Sequence, residues 1–421
     1  MLVKFIHAAD LHIDSPLRGL EAYEGAPLER LQGATRLAMQ NLVRLAIDRS
    51  VHFVIVAGDL FDGRWRDVST GLWMAAQFRE LDQAGIPVFL LQGNHDAANR
   101  VPHAITWPAN VRVFSVDQPE TFLLPELHVA LHGQGFAQEA VTTDLASNYP
   151  PAVPRHFNIG VLHTSLTGSP DHDSYAATSL TVLQSRRYDY WALGHIHARS
   201  EPALLTSPHI AYSGNIQGRH IRETGAKGCL LVTVDSSELR NVEFIPTDVV
   251  RWQMLNVTLE VASGRGELLQ AVRSELVRCV QQAEGRLVAV RLAIQGTCAL
   301  HRLLMRAADR AEIVAEIRNL ASEVSDDVWI EKIVWDTRPA IDLDELLQSN
   351  DLIGELLRSI RETASDPQSW LDVQTELKVL GDRATLELHE ADIAWEQDEQ
   401  IRRWIAQAEH LLLSRLMEDA S

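Results

Sequence analysis

The sequence predicts an α/β protein: a two-layer sheet core flanked by helices, then a small βαβαβ second domain, then a helical C-terminal tail. Three observations predict it. Short, near-continuous apolar runs rich in β-branched and aromatic residues recur over the first 248 residues, alternating at the start with stretches of helical spacing. Near Pro246-Thr247-Asp248 the pattern resets into a fresh strand–helix alternation. Beyond Ile341 only helical spacing is left.

Taken in order, Met1 to Ile6 reads as a first core strand, Leu28 to Arg49 as a helix and Val51 to Ala57 as a strand buried on both faces. Val68 to Ala84 is helical again, and Ile86 to Leu91 is the next buried strand, which completes a βαβ rhythm. Strand-like runs follow at Val111–Val116, His128–His132, Phe157–His163, Tyr188–Leu193 and His209–Tyr212. Gly228–Val234 and Leu239–Ile245, split by Asp235-Ser236-Ser237-Glu238, read as a hairpin. After the reset, Trp252–Glu260, Arg286–Ile294 and Val328–Trp335 read as strands, with Gly266–Ala283 and Leu303–Ser325 as helices between them; Arg338-Pro339 closes the run. The expected domains are therefore 1–248, 249–340 and 341–421. Near the C-terminus Ile401, Trp404, Ile405, Ala408, Leu411, Leu412 and Leu416 form one apolar stripe, which packs on its own domain or meets a partner's helix.

Composition excludes several classes. At 421 residues, 46% hydrophobic and 23% charged, the chain has the size of two or three soluble globular domains. No apolar run approaches the roughly 18 residues that span a bilayer, and the first residues run into a polar motif too early for a signal peptide. Cys229, Cys279 and Cys298 are scattered and form no CxxC pair, which argues against a disulfide framework or zinc ribbon and for a reducing cytoplasm. The net charge of −19 argues against bulk electrostatic binding of nucleic acid. Residues 341–421 carry −12 of it, with 19 Asp/Glu against 7 Lys/Arg, so the first 340 residues could still hold a basic cleft. The acidic tail is either a solvated helical surface or a partner-binding region.

Five polar segments carry the chemistry: Asp10-Leu11-His12, Gly58-Asp59-Leu60-Phe61-Asp62, Gly93-Asn94-His95-Asp96, His163 and Gly194-His195-Ile196-His197. Nearly all follow an apolar run, and polar residues at the carboxyl ends of buried strands converge on one edge of the sheet. Strand alternation is expected to put Asp10 and His12 on one face, and likewise His195 and His197. Carboxylate, imidazole and amide oxygen together suit a borderline divalent ion such as manganese, iron or zinc, and do not suit calcium. Two ions about 3.5–4 Å apart need a bridging anion, for which Asp59 is the natural candidate.

The ordered set Asp10/His12, Asp59, Asn94/His95, His163 and His195/His197 resembles the calcineurin-like metallophosphoesterase superfamily over about residues 1–245. Within it, Asp10-Leu11-His12-Ile13-Asp14-Ser15-Pro16-Leu17, Tyr212-Ser213-Gly214-Asn215-Ile216-Gln217-Gly218-Arg219-His220 and Gly225-Ala226-Lys227-Gly228 resemble the SbcD-type DNA repair exonucleases, and among those the bacterial YhaO proteins. The resemblance implies that Asp10, His12, Asp59 and His197 hold one divalent ion and that Asp59, Asn94, His163 and His195 hold a second, with manganese the metal the branch uses. It implies that His95 lies near the scissile phosphate as acid or charge stabiliser, oriented by Asp62. It also implies DNA as substrate, an SMC-like ATPase partner docked on the C-terminal helices, a homodimer and a cytoplasmic, nucleoid-associated location.

Arg64, Trp65, Arg66 and Arg100 follow metal-ligand segments and either line a DNA path, with Trp65 stacking on a base, or form a solvated rim around a half-buried tryptophan. Arg219 meets a phosphate or makes a structural salt bridge. The second domain caps the cleft or serves only for packing. A small-molecule phosphoesterase, acting on cyclic nucleotides or nucleotide sugars, shares the core motif; the extra domain and tail argue for DNA instead. A protein phosphatase is disfavoured because Gly63-Arg64-Trp65 stands where that branch has Asp-Arg-Gly, and a scaffold without chemistry because every expected position is filled.

Overall fold

A computed structural model describes all residues except 16–24, 63–67, 99–104, 167–175, 340–346, 349, 351, 384–400, 406–407 and 409–421. Arg64, Trp65, Arg66 and Arg100 therefore lie outside the described residues, as do Leu411, Leu412 and Leu416 of the apolar stripe.

Two six-stranded sheets make the core. The first has the order β12-β11-β1-β2-β3-β4, with β1 at Leu2–Ala8, β2 at Phe53–Ala57, β3 at Val88–Leu91, β4 at Val111–Val113, β11 at Gly228–Asp235 and β12 at Glu238–Pro246. Strands β1 to β4 run parallel, as the buried runs and intervening helices require, while β11 joins β1 antiparallel with Phe5 opposite Val232. The second sheet has the order β5-β6-β7-β8-β10-β9: β5 is Glu120–Leu124, β6 Val129–Gly133, β7 Phe157–His163, β8 Tyr190–Gly194, β9 Leu205–Thr206 and β10 His209–Tyr212. Its four central strands are parallel and its two edge strands antiparallel.

Alternation along each strand fills the space between the sheets. Phe5, Phe53 and Phe89 of the first sheet point inward with Leu131, Ile159, Val161 and Tyr190 of the second. Phe5 stacks on Phe53 at 4.9 Å and meets Tyr190 edge-on at 5.5 Å. The opposite face of the first sheet, Ile6, Val54, Val56, Val88 and Leu90, is covered by helices α2 (Ala34–Asp48) and α3 (Val68–Gln83). Helix α2, preceded by the short α1 (Leu28–Gln32), presents Ala38, Met39, Leu42, Val43 and Ala46 at helical spacing, and Ser50 at φ +49° closes it. The outer face of the second sheet packs Trp191 between Tyr149 and Tyr188, beside the short helix α5 (Leu180–Ser185). The two-layer core with outer helices agrees with the sequence.

The later elements are β13 (Val250–Thr258), helix α6 (Arg265–Ala283), β14 (Leu287–Cys298), helices α7 (His301–Met305) and α8 (Ala307–Val324), and β15 (Val328–Pro339), the strands forming a sheet in the order β13-β14-β15. The expected single helix over 303–325 is two, because Arg306 takes an extended conformation between them. Two helices of the tail follow, Leu352–Ser365 and Pro367–Arg383. Ile401 is buried and Arg402 lies 4.4 Å over the Trp370 ring, so this end of the stripe packs on its own unit. By contact density one compact unit comprises Met1–Met254, Arg278–Arg291 and Ser325–Lys332, and another Leu255–Val277, Leu292–Val324 and Ile333–Ser421. Among the described residues no helix is long and apolar enough to cross a membrane.

Candidate metal centre and active site

The ends of β1, β2, β3, β7 and β8 bring the polar segments together. Asp10, His12 and His197 place ligand atoms within 4.8 Å of one another, and so do Asp10, Asp59 and His163. Asn94 joins the second group, its Oδ1 2.9 Å from His163 Nε2. Asp59 Oδ2 lies 3.4 Å from His163 Nε2 and 3.8 Å from His12 Nε2, between the two groups, where a ligand shared by two ions belongs. The His195 ring lies 5.2 Å from that of His163, and its backbone N–H donates to the Asp10 carboxylate at 3.0 Å.

The spacing works differently from the expectation. Strands β1 and β8 stop at Ala8 and Gly194, so the Asp10–His12 and His195–His197 pairs are not strand neighbours. Instead Asp10, His12, Asp59 and His195 lie at φ +53°, +42°, +53° and +98°, left-handed conformations that cost free energy in non-glycine residues. The strain aims the side chains inward from tight loops. Neighbouring glycines make room: a Cβ on Gly93 would fall 2.2 Å from Asp59 Oδ1, one on Gly58 2.3 Å from His163 Nδ1, and one on Gly194 1.9 Å from the Ala57 carbonyl.

The donor arrangement tests the fit for metal. His163 Nδ1 lies 3.0 Å from the Ala57 carbonyl, which can only accept, so Nδ1 carries a proton and Nε2 faces the Asn94 oxygen, itself an acceptor. His12 Nε2 and His197 Nε2 face each other at 3.1 Å. Acceptor atoms converging on each other across buried space suit a cation between them. The electrostatics agree. Burial, with Arg219 adding to it, lowers the His12 pKa to about 3, which leaves a neutral imidazole ready to ligate. Burial works against ionised Asp59, but His163 beside it outweighs this and holds the carboxyl well below its usual range. In return Asp59 overcomes the burial of His163 and pushes it up to about 9, the same pull that would draw a cation to these atoms. The residues present fit a pair of divalent ions.

His95 lies at the rim. It is 40% exposed, whereas the His12 side chain is 1% exposed, and its Nδ1 is 3.4 Å from Asp62 Oδ1. Asp62 also faces His12 Nδ1 at 3.5 Å and accepts from Ser15 Oγ at 2.6 Å; burial opposes its ionisation, but the bond with His12 holds it well below the usual carboxylate range. Arg219 is 13% exposed and bonds Glu223 at 2.9 Å, the salt bridge that is one of its two sequence readings.

Two contributors went unassigned in the sequence. Asp96, in the short helix α4 (Asn94–Ala98), accepts from the backbone N–H groups of Leu60, Phe61 and Gly93 at 3.0–3.1 Å and so ties the Asp59 loop to the Asn94 loop. Glu223 accepts from His197 Nδ1 at 2.7 Å. The signal for Asp96 was its place beside Asn94 and His95; a lone Glu in a loop carried none.

Comparison with known proteins agrees with this site. Residues 3–199 match the family model for calcineurin-like phosphoesterases, and residues 252–338 match that for the middle domain of metallophosphoesterase YhaO. The uncharacterized metallophosphoesterase YhaO of Bacillus subtilis is 35% identical over 298 residues, 70% of this chain and 72% of that one. The chain belongs to the calcineurin-like metallophosphoesterases. This metallophosphoesterase is also 22% identical to a subunit of the nuclease SbcCD of Staphylococcus epidermidis over 276 residues, 59% of this chain and 71% of that one. A crystal structure of a dimetal phosphatase from Danio rerio aligns at 13% identity and a TM-score of 0.33, covering 58% of this chain and 99% of that one. As a metallophosphoesterase the protein is a metal-dependent phosphoester hydrolase using two divalent ions.

Proposed function

We propose that this metallophosphoesterase cleaves phosphodiester bonds in DNA, as the nuclease component of a complex with an SMC-like ATPase, and that manganese fills its two sites. The observation that carries the phosphodiesterase reading is the half-exposed His95 beside Asp62 at the rim of a largely buried ligand set. The similarity to part of a nuclease supports DNA, and so does the segment matching the YhaO middle domain, an addition a small substrate does not require.

Asp10, His12, Asp59 and His197 hold one ion, and Asp59, Asn94, His163 and His195 the other. Bound there, the pair lowers the pKa of water and offsets phosphoryl charge. The chain's own residues do the rest. Asp62 keeps the His95 Nδ1 proton in place; from the imidazolium form of the ring the Nε2 proton passes to the departing sugar oxygen or stabilises its charge, and the ring is left neutral with Nδ1 still protonated. The buried floor of Asp10, His12, Asp59 and His163 excludes bulk solvent from beneath the phosphate.

Residues 1–248 form the nuclease domain, 249–340 an accessory domain and 341–421 the partner-binding region. With −12 of the net charge in the last segment, the chain gains DNA affinity from its partner rather than from its own field. Removal of residues beyond about 390 is expected to abolish ATPase binding, and undiminished binding would refute that docking. The test of function is manganese-dependent cleavage of single- and double-stranded DNA by the pure protein, with His95→Ala as control. Cleavage lost in the variant while both ions stay bound supports the reading. Turnover of bis-p-nitrophenyl phosphate with no DNA cleavage, even after an SMC-like ATPase is added, overturns DNA in favour of a small substrate.

A further inference from the structure

The glycine-rich stretches Tyr212–His220 and Gly225–Gly228 have no part in the chemistry above, yet with Glu223 between them they cradle His197. Buried Glu223 accepts from His197 Nδ1 at 2.7 Å, Arg219 Nη2 at 2.9 Å, Asn215 Nδ2 at 2.9 Å and the Arg219 backbone N–H at 2.7 Å. Lys227 Nζ donates to the His197 carbonyl at 2.9 Å. Gly214, at φ +73°, passes so close that a Cβ would lie 2.9 Å from that same carbonyl oxygen. Arg219 then reaches the other side of the site, with Nη1 3.8 Å from Asp62 Oδ2 and 3.4 Å from Ser15 Oγ.

We propose that Glu223 is a positioning residue that fixes His197 as a metal ligand and, through Arg219, couples it to the Asp62–His95 pair. This rests on the ligand assignment proposed above. A carboxylate only accepts, so at 2.7 Å the proton of His197 sits on Nδ1 and the lone pair on Nε2, which faces His12 Nε2. Arg219 Nη2 is also 3.2 Å from Nδ1, but with a lone pair there the closer carboxylate oxygen would be repelled. The carboxylate makes the imidazole a stronger donor to a cation and stops the ring from turning. Arg219 offsets the buried charge of Glu223, and its other arm holds Asp62 at a set distance, so ligand and acid share one rigid frame.

The test is calorimetric titration of the metal-free full-length chain with Mn2+, comparing wild type, Glu223→Gln and His197→Ala. In Glu223→Gln one of the two ions is expected to bind about 10–100-fold more weakly while the other is unchanged, as in His197→Ala but milder. Excess Mn2+ is expected to restore turnover of bis-p-nitrophenyl phosphate in Glu223→Gln and not in His197→Ala. Should Glu223→Gln not fold, Glu223→Asp, which keeps the charge a methylene short of His197, is read the same way. For the coupling arm, Arg219→Gln is expected to bind both ions normally, lower kcat about tenfold and shift the acid limb of the pH profile. Normal binding of both ions by Glu223→Gln, with one ion lost in His197→Ala, overturns the role of Glu223 and leaves the ligand assignment intact. Two ions bound at full affinity by His197→Ala overturn the assignment itself.

Discussion

The two sheets bring different things to the site. Among the ligands and the His95–Asp62 pair, the first contributes the carboxylates Asp10, Asp59 and Asp62, together with His12, Asn94 and His95; the second contributes imidazoles alone, His163, His195 and His197. Neither half could hold a pair of ions. The carboxylates alone would repel one another, and the imidazoles alone lack a bridging anion. The sheets are joined at their carboxyl ends by the bond of His163 Nδ1 to the Ala57 carbonyl, against which Gly194 packs too closely to leave room for a Cβ, whereas deeper down they meet through aromatic rings. The metal site is thus the polar end of a largely apolar interface.

If the halves are complementary in this way, removing the one shared anion has the largest effect. Asp59→Ala is expected to lose both ions, by elemental analysis, and at least about 10³-fold in phosphodiesterase activity; retention of one ion would break the symmetry between the sheets. His95→Ala removes nothing from the joint and is expected to cost about 10²–10⁴-fold in kcat with both ions retained. Chelation removes what ties the halves together. Thermal unfolding with and without manganese at about a thousandfold over its Kd should differ by about 4 kcal/mol for each ion bound. Gly194→Ala pushes the second sheet off Ala57, and an overpacking loss of about 1–3 kcal/mol is expected in denaturant titration.

His7 sharpens the picture below the site. It is buried between the sheets, bonded to Tyr190 at 3.0 Å and to the Leu193 carbonyl at 3.1 Å, and burial lowers its pKa from 6.5 to about 3. Below pH 6.5 the unfolded chain takes up a proton that the folded one refuses until about pH 3. Stability should therefore fall by about 1.4 kcal/mol per pH unit of acidification in that window. A His7→Gln variant, which cannot titrate, is expected to flatten unfolding free energy between pH 5.5 and 4.5 by about that amount, and an unchanged slope would refute the assignment.

What was legible in the sequence follows from where burial is strongest. Strands β1, β2, β3, β7 and β8 are buried on both faces and read as apolar runs, and their ends marked the ligands. Strand β5, Glu120-Thr121-Phe122-Leu123-Leu124, lies half-buried at an edge and has neither continuous apolarity nor alternation, so nothing announced it. Helix α4 was missed because it is five residues long and starts on a ligand. The alternation argument expected Asp10 beside His12, and their ligand atoms do lie together, but for another reason, since positive φ angles do that work and periodicity carries no trace of them. Glu223 was out of reach because its partner, His197, is brought to it only by the fold, whereas Asp96 was marked by its place beside Asn94 and His95 although its partners, the backbone of Leu60 and Phe61, were not.

Strand β1, the earliest of these strands to leave the ribosome, is an interior strand, bounded by β2 on one side and by β11 on the other. Between the end of β1 at Ala8 and the start of β11 at Gly228 the ribosome adds about 220 residues, which takes on the order of ten to forty seconds at typical rates of synthesis. Through that interval one side of β1 has no partner strand, although by its last part the residues through His197 that assemble the ligands have been made. Completion of the catalytic unit during synthesis is therefore timed by the hairpin of β11 and β12, two strands that supply no ligand at all.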